Sequence, residues 1–214
     1  GMSKRFPELV SVLDDGYTTL SPDRSHVLSF DREGRLVGFF RKGLTYRRSL
    51  DSRVVLRWRD GTRQRRWLSE PEAYSLYEDA YGLAREIAQD VQGELQRRLL
   101  EEVLRWDPRT LLAEGRCFRS VYHSVPILPP DQYRSIVLQI TEGCTWNRCT
   151  FCNFYEGRRF RMRTLGQYEK HIQAVKNFFG AGIRMRHGIF LGDGNALALG
   201  VDRLAEYMTM THKF

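Results

Sequence analysis

Three of the chain's four cysteines, Cys144, Cys149 and Cys152, fall within residues 141–155, and this clustering constrains the backbone more than any other feature of the 214 residues. Cysteine is ordinarily a scattered, buried small hydrophobe, so C-x4-C-x2-C spacing asks for an explanation other than packing. A C-x2-C pair lets the chain curl so that both sulfurs face one centre, and the first cysteine returns from the other side. Gly143 permits a tight turn just before it. The spacing therefore predicts a loop wrapped around a metal. A structural zinc takes four protein ligands, whereas an iron–sulfur cluster held by three thiolates keeps one iron open to a small molecule. The fourth cysteine, Cys117, stands far back in the sequence and reads as an isolated buried thiol rather than a fourth ligand.

The flanking sequence predicts alternating strands and helices. Residues 136–140 are an apolar run suited to a buried parallel strand. After the cysteines, Arg158, Arg159, Arg161 and Arg163 alternate with Phe160 and Met162 in an extended basic segment. Thr164-Leu-Gly-Gln167 is a capping box, opening a helix whose core face is Leu165, Tyr168, Ile172, Val175 and Phe179 and which ends at Gly180 or Gly182. His171, beside that stripe, reads as a packing or surface residue. Gly188-Ile-Phe-Leu191 predicts a second strand, running into Gly192-Asp-Gly-Asn-Ala-Leu197, a glycine-rich turn that lets a ligand approach the backbone closely. A last helix over 201–210 is expected to turn Leu204, Ala205 and Met208 inward.

The run Ser135-Ile-Val-Leu-Gln-Ile-Thr-Glu-Gly-Cys144-Thr-Trp-Asn-Arg-Cys149-Thr-Phe-Cys152 resembles the opening of a radical S-adenosylmethionine (SAM) domain, in the subset whose cluster loop is C-x4-C-x2-C. The lead-in Leu-Pro-Pro-Asp-Gln-Tyr-Arg-Ser, within residues 125–135, is similar too, so the likeness covers roughly the last 95 residues. It implies that Cys144, Cys149 and Cys152 ligate three irons of a [4Fe-4S] cluster and that the fourth iron takes the amino and carboxylate groups of SAM. Phe151 would lie against the bound SAM. Gly192, Asp193, Gly194 and Asn195 match the family's Gly-Gly-Glu region, which holds the SAM amino group. Asn195 takes the acidic position, so either Asp193 supplies the carboxylate or neutral oxygens hold the amine. One electron, from a donor such as flavodoxin or ferredoxin, would cleave SAM to a 5′-deoxyadenosyl radical that takes hydrogen from a substrate the sequence does not identify. Arg148 and Arg158 are placed to offset cluster charge, or simply to be solvated. The implied fold is an incomplete (β/α)6 barrel of which residues 135–214 supply the first two units. The expectation is an N-terminal fragment of a radical SAM enzyme, inactive by itself.

Residues 1–115 predict an accessory domain of α+β character, followed by a linker over 116–134 in which Pro126, Pro129 and Pro130 resist regular structure. His26-Val-Leu-Ser-Phe30 and Leu36-Val-Gly-Phe-Phe40 flank the turn Asp31-Arg-Glu-Gly34. Arg53-Val-Val-Leu-Arg-Trp-Arg59 runs into Asp60-Gly61, a tight-turn dipeptide. Strand alternation puts Val54, Leu56 and Trp58 on a dry face. Arg57 and Arg59 point the other way, joined by Arg47, Arg48, Arg63 and either Arg65 or Arg66 according to register. That surface reads first as a solvated face that discourages edge-to-edge pairing, and second as a contact for RNA. A stacking platform would need exposed aromatics among the arginines, and Trp58 is on the dry side. Ser69-Glu-Pro-Glu72 is a second capping box. It opens a long helix or helix pair with an apolar stripe from Ala73 to Trp106, divisible at Gly93 and ended by Asp107-Pro108.

The composition is globular, with 42% hydrophobic and 28% charged residues. No apolar run reaches the roughly 18 residues of a membrane span, and the first residues lack a secretory signal's apolar core. Clustered cysteines then suit a metal site in a reducing cytoplasm. The net charge of +8 fits solubility or a polyanionic partner, which leaves a tRNA-modifying radical SAM enzyme as one alternative. A non-enzymatic zinc module that binds nucleic acid, its site completed by a histidine or Cys117, is the rival from another class.

Overall fold

The structure, a computed structural model, describes residues 5–125 and 127–214. Pro126 and residues 1–4, on which part of the linker and signal-sequence readings fell, lie outside them. The chain divides into two compact units, Gly1–Phe118 and Arg119–Phe214, so the first extends slightly beyond the boundary expected at 115. Among the described residues no helix is long and apolar enough to cross a membrane.

The first unit is a seven-stranded antiparallel meander packed under helices. Its strands are β1 (Val10–Leu13), β2 (Tyr17–Asp23), β3 (His26–Asp31), β4 (Leu36–Arg41), β5 (Leu44–Arg48), β6 (Val54–Asp60) and β7 (Thr62–Trp67), each paired with the next. Both predicted hairpins form, β3–β4 and β6–β7. In β6, Val54 and Leu56 are buried and Trp58 packs against the core, as the alternation requires. The helices are α1 (Glu70–Asp90), α2 (Glu94–Glu101) and α3 (Pro108–Val121).

The Ser69 capping box is formed in both directions, and Gly93, at φ 74°, divides α1 from α2. Apolar positions along α1, including Leu76, Tyr77, Ala80, Ala84 and Ile87, meet Leu20, Leu28, Phe30, Leu36 and Phe39 of the sheet in one core, joined by Leu95, Leu99 and Val103. Two fully buried tyrosines tie the helix to sheet loops. Tyr77 donates to the Ser52 carbonyl at 2.7 Å. Tyr81 donates to the Gly34 carbonyl and accepts from the Leu36 N–H, both at 3.0 Å.

Three expectations fail here. Asp107-Pro108 does not only end a helix; it begins α3, because Asp107 accepts the Thr110 N–H at 2.8 Å as a cap and proline suits the first helical turn. The linker over 116–134 is therefore helical at its start, through Val121. Cys117, expected to be buried, is exposed on α3.

The second unit runs β8 (Ile136–Gln139), β9 (Thr141–Glu142), β10 (Arg161–Met162), α4 (Leu165–Phe179), β11 (Ile189–Gly192) and α5 (Val201–Thr211). β8 and β11 pair in parallel, Ile136 opposite Ile189 and Gln139 opposite Gly192. The basic segment after the cysteines contributes β10, which pairs antiparallel with β9. The Thr164–Gln167 capping box forms, and Gly180 ends α4. Tyr168, Ile172, Val175 and Phe179 are buried as expected, but Leu165, in the first turn, is exposed. In α5 the buried residue is Tyr207, while Leu204 is half-buried and Ala205 and Met208 face outward. The Tyr207 ring lies 5.2 Å from that of Tyr168, and burying this larger aromatic rotates the helix away from the expected face.

Candidate metal centre

The cysteine loop leaves the carboxyl end of the β8–β9 run. The Ile140 N–H donates to the Gly192 carbonyl at 2.6 Å and the Asp193 N–H to the Thr141 carbonyl at 3.1 Å, so the turn after β11 is laced to the start of the loop. Two glycines are required by this proximity. A Cβ on Gly194 would stand 2.2 Å from the Gly143 carbonyl oxygen, and one on Gly143, itself at φ 77°, would stand 2.8 Å from the Arg159 carbonyl oxygen. The glycine-rich turn predicted as a ligand-approach element is thus directly against the predicted metal loop.

Inside the loop, Asn147 adopts φ 45° and its Nδ2 donates to the Tyr155 carbonyl at 2.8 Å. The Cys152 N–H turns back to the Cys149 carbonyl at 3.4 Å. Cys144, Cys149 and Cys152 are all half-buried thiols outside any disulfide. They share the loop, but they do not converge: among the described residues no group of three His, Cys, Asp or Glu side chains is arranged to hold a metal ion. Phe151 is 90% exposed, and Arg148 is exposed as well. Arg158 donates to the Ser124 carbonyl at 2.8 Å, and its charge acts on both Tyr155 and Asp193.

Asp193 is the best-defined polar group of the site. Its Oδ1 accepts from the Tyr155 hydroxyl at 2.9 Å, while its Oδ2 is buried with no hydrogen-bond partner. Burial pushes the carboxyl up from its ordinary range, against the Tyr155 hydroxyl and the Gly143 N–H, which favour the anion. Burial also raises Tyr155, with its donation to Asp193 acting in the same direction. A buried carboxylate oxygen without a donor is costly, and a cationic amine is the kind of group that would satisfy it. Asn195, the other candidate, is exposed.

Sequence reasoning missed Tyr155 and the bond that orients Asp193. It also missed a cleft of about 680 Å³ on the same unit, lined by His123, Glu142, Arg161, Arg163, Lys170 and His171 among others. The only advance signal for that cleft was the Arg161/Arg163 alternation. His171 lies at its edge, 4% exposed, and its Nε2 accepts the Gln139 N–H at 3.1 Å.

No protein-family model, curated protein or solved structure matches this chain.

Proposed function

We propose that the second unit is the cluster- and SAM-binding segment of a radical SAM enzyme. The observation that carries this reading is the apposition of the C-x4-C-x2-C loop to the Gly192–Asn195 turn, with a buried, half-satisfied carboxylate on Asp193. The donor set fits in chemistry, since three soft thiolates suit iron–sulfur binding. Holding a cluster requires the loop to draw Cys144, Cys149 and Cys152 together.

A [4Fe-4S] cluster and SAM, when bound, would supply one-electron cleavage of the sulfonium and a carbon radical able to take hydrogen from a substrate. The chain's own residues would bind and orient. Asp193 would accept from the SAM amino group through Oδ2, and the Tyr155 hydroxyl would keep the carboxylate turned toward it. Gly194 would keep the turn close enough to the loop for both ligands to share one site. Phe151, exposed beside Cys152, is available to cover the bound cofactor. A reducing cytoplasm, where the thiols stay reduced, and an electron donor such as flavodoxin or ferredoxin belong to the same proposal.

Anaerobic incubation of the purified chain with iron and sulfide tests the loop. Iron and sulfide are expected to load in equal amounts. Cys149→Ser is expected to abolish loading while leaving the far-ultraviolet circular dichroism unchanged. Tightly held zinc with no uptake of iron would contradict the proposal.

A further inference from the structure

Among the described residues, the outward face of the seven-stranded sheet carries positive charge without a carboxylate paired to it. Strand register places Arg57 opposite Arg65 and Arg59 opposite Arg63 on β6 and β7, and Arg47 of β5 opposite Val55 of β6. Directly opposed residues share a face, so these five guanidiniums form one patch. The register also settles the earlier ambiguity. Arg65 belongs to the patch, whereas Arg66 lies on the other side and pairs with Glu72 at 2.7 Å, and Arg48 donates to the Leu36 carbonyl at 2.5 Å.

Like charges directly opposite each other destabilise a sheet. Other arginines of this unit are neutralised nearby: Arg41 by Asp79 at 2.5 Å and Arg53 by Asp51 at 2.7 Å. Among the described residues, Arg47, Arg57, Arg59, Arg63 and Arg65 have no carboxylate within ion-pair distance. Two directly opposed arginine pairs, left unneutralised in a unit that pairs most of its other arginines, are suited to an anionic partner from outside.

The same face also presents an aromatic. Trp67, opposite Val55, is 51% exposed, and the Arg53 guanidinium lies 4.6 Å from its ring centroid. An exposed ring among arginines is the condition that Trp58 could not meet. Alternate residues on a strand are about 6.8 Å apart and neighbouring strands about 4.8 Å apart, so the patch offers a lattice of bidentate phosphate donors beside one stacking surface.

We propose that this face binds single-stranded RNA, with backbone phosphates on Arg47, Arg57, Arg59, Arg63 and Arg65 and an unpaired base on Trp67. Arginine forks match phosphate geometry better than lysine point charges, and single-stranded RNA is the nucleic acid whose bases are free to stack on aromatic rings and guanidinium planes. A duplex would leave Trp67 unused. The proposal stands on the first unit alone and is independent of the cysteine loop.

The test is fluorescence anisotropy of a labelled single-stranded RNA oligonucleotide with the full chain, without added metal, between about 50 and 200 mM salt. Five phosphate contacts predict a slope of log K against log salt of about −3.5, at roughly −0.7 per contact. The double variant Arg57→Gln/Arg65→Gln is expected to reduce that slope by about 1.4. Trp67→Leu is expected to weaken binding about tenfold with the slope unchanged. The altered side chains lie on the exposed face, so no variant should lower the parent's unfolding midpoint appreciably, and removing the opposed Arg57–Arg65 pair should hold or raise it. Absence of binding at the lowest salt would overturn the proposal. So would binding that these variants leave intact, or tighter binding to duplex DNA or to phosphatidylserine vesicles than to the RNA.

Discussion

At the residue scale, the second unit holds two buried groups whose protonation is set by their surroundings, and they act in opposite senses. Asp193 is pushed up by burial, whereas His171 is pushed down to about 4 by burial and by the nearby Arg163 charge, against a bond to the Val121 backbone. His171 is therefore neutral in the folded chain at pH 6, where the unfolded chain begins to take up a proton at its ordinary value near 6.5. The unfolded state binds more protons between those values, so the histidine's contribution to stability is complete above about 6.5 and is lost as pH falls toward 4. The difference amounts to about 3 kcal/mol. Urea unfolding followed from pH 7.5 to 4 should show that dependence in the parent and a flatter one in His171→Phe, whatever the variant's stability at neutral pH. Parallel pH profiles would contradict the placement of His171 as a buried neutral acceptor of the Gln139 N–H.

At the scale of elements, the first unit depends on side chains that bond across element boundaries. Tyr81 illustrates this, since its hydroxyl serves both the Gly34 carbonyl and the Leu36 N–H from within the core. Tyr81→Phe leaves a buried donor and a buried acceptor unmet and should cost about 2–4 kcal/mol, read as a lower urea midpoint. A loss below about 1 kcal/mol would mean that water reaches the loop. The apolar stripe of α1, both capping boxes and the strand–helix–strand order around the cysteines followed from the sequence, because local periodicity and capping chemistry decide them. The bonds of Tyr77 and Tyr81 did not, because their partners Ser52 and Gly34 are distant in sequence. The same holds for Tyr155, which reads as an aromatic near the cysteines until β11 brings Asp193 beside it. α3 was misread because Asp107-Pro108 serves equally as a helix stop and a helix start. α5 was misread because three small or flexible apolar residues competed with one tyrosine for a single buried face.

At the scale of the whole molecule, the net charge of +8 has a concentrated part, five arginines on one sheet face without an ion pair among the described residues, and the three clustered cysteines lie in the other unit. Composition suggested a polyanionic partner, strand alternation pointed to a basic sheet face, and register fixed which arginines share it. Cysteine spacing suggested a metal, and the three half-buried thiols share one loop without facing one point. The central claim is that this loop, closed around a cluster with Asp193 beside it, holds SAM at an open iron. Electron paramagnetic resonance of the anaerobically reconstituted and reduced chain, recorded with and without SAM, tests it most directly. The account predicts a cluster signal whose g values shift on adding SAM, with the shift lost or weakened in Asp193→Ala. A cluster signal indifferent to SAM, or no cluster signal at all, would contradict it.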